Sequence, residues 1–309
     1  MKHPEISKTY RNLLLVTATM TVLLVILGGI VCMTESSRGC PDWPGCYGEI
    51  LPPIRADAMI EFTHRLTAAL TGTLILLTAI VGAWKFRKLR WVSRPPMIAV
   101  VLLVVVAMFG ALTVLRGLSP PLAAVDLGLA LLVLALMITA SVVALHKYEN
   151  PAFIDQLTLH TPFAKLAFAT VAVLFIVLVS GVLVADGGSI VRCLGWPLFS
   201  IQFIPENVPA WLPVLRHTIG LLATILLFFV VLRAWRQRQA ELRIWRATIV
   251  VMCSFLAEIL IGILLIVFEF EPWLLVAYVV AAAVLWTSLV VVTVLACMDP
   301  NHNSIKEAS

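Results

Sequence analysis

Leu27–Cys46 reads "LGGIVCMTESSRGCPDWPGC", and Val179–Phe199 reads "VSGVLVADGGSIVRCLGWPLF". Laid together, Gly29 falls on Gly181, and Cys40, Trp43 and Pro44 fall on Cys193, Trp196 and Pro197. His64 falls on His217 at the same offset of 153 as the cysteines, and Gly110 on Gly262 at 152. Cysteine, tryptophan and histidine are rare, so their return at nearly constant spacing marks an internal repeat.

Each copy follows a long apolar run. Leu13–Met33 carries no charge, and comparable runs recur at Thr63–Trp84, Met97–Leu115, Leu122–Leu145, Ala164–Ala185, Val214–Leu232, Ala247–Phe268 and Trp273–Cys297. Each approaches the ~20 residues a helix needs to cross a ~30 Å hydrocarbon core. Lipid leaves open backbone groups unsatisfied, so helices are the expected solution. With 61% hydrophobic and 13% charged residues, against about 25% charged in soluble domains, the chain reads as an all-α integral membrane protein of eight transmembrane helices. The first run is longer than a signal-peptide core and is read as retained. Four spans per copy, an even number, predict a parallel repeat of two tandem four-helix bundles. The halves cover 11–147 and 163–297, with a connection at 148–162 and a tail at 298–309.

The formal net charge of +5 is unevenly placed. All but six of the 22 Lys and Arg fall in the termini, the 145–165 connection, "KFRKLRWVSR" and "RAWRQRQAELRIWR"; the exceptions are Arg38, Arg55, Arg65, Arg116, Arg192 and Arg216. Basic loops stay in the cytoplasm. Both termini are therefore predicted to be cytoplasmic, with "CPDWPGC" on the outer face of a bacterial or archaeal plasma membrane. Nucleic acid is not implied.

That face permits disulfides. Cys40 and Cys46 could close a small loop worth about 2 kcal/mol by chain entropy, or remain thiols. Zinc is disfavoured, because Cys193 is the one other outer cysteine and no outer histidine has finger-like spacing. Cys32, Cys253 and Cys297 read as small core residues. The Trp-Pro pair of each copy is expected to cover its bundle's outer mouth.

Of six histidines, His3, His146, His160 and His302 lie in tails or the inner connection, while the repeat-related His64 and His217 lie at outer span ends. Bundles build cofactor sites from inward-facing side chains, and imidazole is an axial ligand of haem iron; a plain interfacial role is the competing reading. In "IEFTHR", Glu61 precedes His64 by three and shares its face on a helix. Arg65 either pairs with a carboxylate or propionate or snorkels outward. Glu61 and Arg65 correspond to Val214 and Thr218, and Cys46 to Phe199, so the first half has kept polar chemistry that the second has lost. Glu258 in the seventh span and Asp126 early in the fourth are ionisable groups at or near membrane depth, which makes them site candidates. Tyr278 alone reads as a packing aromatic.

Together, "LGGIVCMT", "CPDWPGC", "IEFTHR", "GALTVLRGLSPP" and "CLGWP…LRHTIGLL" resemble the haem A synthase family over nearly the whole chain. The resemblance implies eight helices in two halves and conversion of haem O to haem A, by oxidation of a porphyrin methyl to formyl, for terminal oxidase biogenesis. It implies histidine pairs: one in the first half for the substrate haem, one in the second for a haem b. Carried over, His64 and His217 are iron ligands, Glu61 is the acid beside the substrate haem, and Cys40 with Cys46 is the outer-loop cysteine pair. The chain departs in "LAAVDLGLALL" and "LLVAYVVAAAVLW", where Asp126 and Tyr278 stand at the places of the partner histidines. Carboxylate, tyrosinate or a five-coordinate iron are the resulting options.

The leading expectation is a haem A synthase-like oxidoreductase with haem O as substrate and haem b as electron relay. The main alternative is a non-catalytic haem carrier or oxidase assembly factor. A thiol–disulfide protein lacks a C-x-x-C motif, and a transporter lacks paired interrupted helices. The implied partners are haem O and the lipid bilayer, with haem O synthase and terminal-oxidase assembly proteins as candidates; self-association stays open.

Overall fold

The computed structural model describes residues 5–49, 51–117, 119–184, 193–196, 208–239 and 241–298. His3, Arg192, Pro197, Phe199, His302 and the tail beyond Met298 lie outside them. Eight helices follow one another: α1 (Lys8–Met33), α2 (Ala56–Lys85), α3 (Arg90–Arg116), α4 (Pro120–Glu149), α5 (Pro162–Val184), α6 (Trp211–Arg236), α7 (Leu242–Val267) and α8 (Pro272–Cys297). All eight are long and apolar enough to cross a membrane. Among the described residues the other regular features are a 3-10 turn at Ser36–Arg38 and one isolated bridge between Cys46 and Glu49.

The helices run further than the apolar stretches that reveal them in the sequence. Helix α2 starts at Ala56 rather than Thr63 and has 30 residues, about 45 Å at 1.5 Å per residue, against a hydrocarbon core of about 30 Å. Its excess is the polar first turns, so Glu61, which precedes the apolar stretch, lies inside the helix with His64. Local chemistry sets several ends. The Ser7 hydroxyl accepts from the Tyr10 N–H at 3.3 Å and caps α1. Prolines open α4 and α8, where a missing N–H costs nothing. Asp155, in the connection between α4 and α5, accepts from the Trp91 N–H at the start of α3.

Helix α1 packs on α2 and α4, α2 on α3, and α3 on α4; α5 packs on α6 and α8, α6 on α7, and α7 on α8. The two groups meet through α4 against α5 and α8, and α8 against α1. Helix α8 is thus wrapped on several sides, and most of its length is buried. Small residues permit the close approaches at this seam, as expected between helices in lipid. A Cβ on Gly29 would come within 2.5 Å of the Val279 side chain, and one on Gly128 within 3.1 Å of Phe175.

One end of the molecule carries the Cys40–Cys46 loop (the loop face) and the other carries the N-terminus of α1 (the terminal face). Toward the terminal face, polar contacts bind the first bundle. The Tyr10 hydroxyl donates to the Thr78 carbonyl at 3.2 Å, Thr17 and Thr78 share a 3.0 Å hydroxyl contact, and Ser141 donates to the Leu14 carbonyl at 3.0 Å.

Two disulfides lie toward the loop face. Cys40–Cys46 closes the small loop as expected. The second corrects the sequence reading: Cys32 is not a passive core residue but is bonded to Cys193, across 161 residues, joining the end of α1 to the segment before α6. Cys253 also departs from the expectation, being an exposed thiol on α7, while Cys297 is a buried one. Non-reducing peptide mapping should recover Cys32 with Cys193 and Cys40 with Cys46, and alkylated Cys253 and Cys297. Cys32→Ser should lower Tm by several degrees, since so long a crosslink contributes on the order of 2–5 kcal/mol.

Candidate functional site

The site is built where the first loop folds onto the start of α2. Gly39 lies so close to the Asp57–Ala58 backbone that a side chain could not enter. Cys40 and Cys46 are both buried, and the Cys40 Sγ packs 3.8 Å from the Ala58 carbonyl. The disulfide therefore rests on the first turn of α2, one turn before Glu61.

Arg65 holds this arrangement. Its Nε pairs with Glu61 Oε1 at 2.8 Å, one helical turn away. Its Nη1 donates to the carbonyls of Asp42 at 2.6 Å and Gly45 at 2.5 Å, and Nη2 to that of Cys40 at 3.4 Å. Of the sequence alternatives for Arg65, pairing with a carboxylate is the one seen, and its donors are engaged by the protein itself. The Asp42 side chain tightens the same loop by accepting from the N–H groups of Tyr47 at 2.6 Å and Gly48 at 2.9 Å.

Three polar atoms remain buried and without a hydrogen-bond partner here: Glu61 Oε2, His64 Nδ1 and Asp126 Oδ1. The Nδ1–Cε1 edge of His64 faces α1, where a Cβ on Gly28 would stand 3.4 Å from Cε1. Asp126 lies on α4. Among the described residues, α2 and α4 share no packed interface, so they oppose each other across the bundle. Helix α2 has no buried residue between Glu61 and Thr71, and α3 has none after Ala99.

The second bundle places equivalent residues differently. His217 Nδ1 donates to the Pro213 carbonyl at 2.6 Å. Its neighbour Arg216 is fully buried and donates from Nη2 to the Gly195 carbonyl at 2.5 Å. An arginine beside each histidine thus grips its loop, one residue after His64 and one residue before His217. The repeat alignment paired Arg65 with Thr218 and missed this, because Arg216 stands two residues before that position. Tyr278 is buried, and its hydroxyl accepts from the Trp196 N–H at 2.7 Å. Glu258 on α7 is buried beside Tyr278, and neither of its oxygens makes a well-formed hydrogen bond. Trp196 packs edge-on against Phe255 at 5.0 Å. Trp196 is buried, whereas Trp43 is 44% exposed, so the two tryptophans of the repeat are not placed alike. Among the described residues, no group of three or more His, Cys, Asp and Glu is placed to hold a metal ion.

Eight membrane-length helices carrying a polar, disulfide-braced site toward one face define the class: a multi-pass membrane protein. Residues 11–290 match the family model of COX15-CtaA, cytochrome oxidase assembly protein, and the chain belongs to that family. Its relatives include proteins named "Heme A synthase". That of Alkalihalophilus pseudofirmus is 28% identical over 242 residues, covering 76% of this chain and 80% of that protein. That of Lysinibacillus sphaericus is 27% identical over 267 residues, covering 81% and 83%. That of Staphylococcus haemolyticus is 30% identical over 210 residues, covering 65% and 67%.

Two outcomes follow. Arg65→Ala should free the Cys40–Cys46 loop and strand Glu61 without its partner, costing about 3 kcal/mol, seen as a lower Tm and faster amide exchange at residues 40–48. The backbone N–H of Gly48, then that of Tyr47, holds the Asp42 carboxyl below its ordinary value of 3.8. A depressed carboxylate stabilises above its unfolded pKa and loses that contribution as pH falls through the folded one. Protection of the Tyr47 and Gly48 amides should therefore hold from neutral pH to 4 and fall only below it, and Asp42→Asn should abolish this transition.

Proposed function

We propose that the protein is a haem A synthase: a membrane oxidoreductase that converts haem O to haem A by oxidising one porphyrin methyl group to formyl, for terminal oxidase assembly. Family membership and the names of the relatives support the reaction class. The observation that carries the site is the set of buried, unpartnered atoms on α2 and α4 of the first bundle: Glu61 Oε2, His64 Nδ1 and Asp126 Oδ1. Buried polar groups are normally satisfied, so three orphans in one bundle fit a ligand with an iron centre and a polar edge.

His64 would hold the substrate iron, with Asp126 as a second candidate ligand; carboxylate is a harder donor than imidazole. Bound haem O would supply the methyl group; with water as the source of the added oxygen, its conversion to formyl releases protons and passes electrons to an external oxidant. Glu61 would take up a proton at Oε2, since Oε1 is committed to Arg65. Arg65 fixes the carboxylate's orientation and lowers the cost of charge on it. The buried disulfide and its loop close the site toward the loop face. In this reading the chain is a tandem repeat with halves at 11–147 and 163–297, and the loop face looks outward from the plasma membrane, because the basic loops lie at the other end. No step runs through His217 or Tyr278.

Asp126 in place of a histidine favours one other reading, a haem carrier without catalysis, because weaker ligation suits transfer. Expression in a host that makes haem O, followed by haem extraction, separates them. Haem A should appear, and Glu61→Gln should lower it by about 100-fold while haem O stays bound; His64→Ala should lose the bound haem. Bound haem O with no haem A in the wild type would establish the carrier instead.

A further inference from the structure

The second bundle also holds unpartnered polar atoms, and they are sorted by kind. Arg216 Nε and Nη1 and Trp196 Nε1 are buried donors without a partner, and both oxygens of Glu258 are buried acceptors without one. Arg216, Trp196 and Glu258 are 2%, 3% and 1% exposed. The Tyr278 hydroxyl stands between the two kinds: it accepts from the Trp196 backbone N–H at 2.7 Å, and both Arg216 and Glu258 act on it electrostatically. Among the described residues Arg216 and Glu258 form no ion pair with each other, although charges so deeply buried are normally paired. This set and that of the first bundle lie on either side of α1. A Cβ on Gly28 would stand 3.4 Å from His64 Cε1, and one on Gly29 would stand 2.5 Å from Val279, the neighbour of Tyr278. Successive residues of a single helix, about 10 Å across, thus face the two bundles.

We propose that Arg216, Trp196 and Glu258 bind a quinone from the bilayer, and that this quinone takes the electrons released when the substrate methyl is oxidised in the first bundle. The two kinds of orphan select the class of ligand. A simple anion would suit Arg216 and Trp196 but set like charge beside Glu258, and a simple cation would do the reverse. A haem, which the family resemblance implies in this half, brings two carboxylates against one arginine. A quinone is neutral. One of its oxygens accepts from Arg216 and Trp196, and on reduction the opposite oxygen becomes a hydroxyl that donates to Glu258. Its tail is soluble in the lipid around the bundle. The chemistry balances: conversion of a methyl to formyl with oxygen from water (R–CH3 + H2O to R–CHO) releases four electrons and four protons, and two quinones, one after the other, take up all of them as two quinols. The α1 seam suits direct electron transfer, because the glycine pair leaves that one helix between the sites.

The acceptor role rests on the first-bundle haem reading, whereas the binding site does not, and one experiment separates them. The full-length protein is purified in detergent from cells co-expressing a haem O synthase. Haem and co-purified quinone are extracted and counted per chain, binding of decylubiquinone is titrated calorimetrically, and haem A and quinol are quantified after anaerobic incubation. The expected result is saturable binding of about one quinone per chain, with two quinols formed for each haem A. Glu258→Gln and Trp196→Phe, the latter keeping the backbone N–H that Tyr278 uses, should each raise Kd about tenfold without lowering Tm. No co-purified quinone together with no saturable binding, binding indifferent to both variants, or two haems per chain overturns the site. Haem A formed without quinol overturns the acceptor role. Saturable binding weakened by Glu258→Gln, with bound haem indifferent to His64→Ala, supports the site and overturns the first-bundle reading instead.

Discussion

Hydrocarbon offers no hydrogen bonds, and the rest of the structure follows from that constraint. The backbone satisfies itself in eight helices. Hydroxyls inside them turn back on their own carbonyls, as Thr21 does on Thr17 and Thr248 on Ile244. What cannot be satisfied so cheaply is the ionisable group. Arg65 and Arg216 are met by carbonyls of the loops before their helices, whereas both oxygens of Glu258 and one each of Glu61 and Asp126 have no hydrogen-bond partner. Charge at this depth is costly and marks where function is placed.

The same device, an arginine reaching from the second helix of a bundle to the carbonyls of the preceding loop, serves both bundles with different results. Arg65 spends its donors on Glu61 and three loop carbonyls, so the loop is held down while His64 and Glu61 Oε2 stay unpartnered. Arg216 is drawn inside, beside Tyr278, and its loop follows it, carrying Trp196 into the bundle. One loop becomes a brace around a site, and of the other the Cys193–Trp196 segment is buried. The substitution of Val214 for Glu61 fits this division: without a carboxylate at that position, an arginine one turn further on would have no partner on its own helix.

The disulfides act at two scales. Cys40–Cys46 stiffens a seven-residue loop already fastened by Arg65 and Asp42, next to the proposed site. Cys32–Cys193 joins segments far apart in the chain at the seam where α1 meets α8 through Gly29.

Much of this was legible in the sequence. Apolar length and the recurrence of rare residues determined eight helices and singled out His64, His217, Glu61 and the Cys40–Cys46 pair, because helix formation in lipid is a local matter that a one-dimensional pattern records. Helix ends were less legible, since the polar first turns of α2 remain helical beyond the hydrocarbon and carry no hydropathy signal. Only the tertiary structure decided that Cys32 bonds Cys193, that Arg216 repeats the work of Arg65 from a shifted position, and that Tyr278 belongs to Trp196. Each of these is a choice among partners distant in the chain, settled by which side chains the packing of α1, α4, α5 and α8 brings within a few ångströms, and no periodicity encodes it.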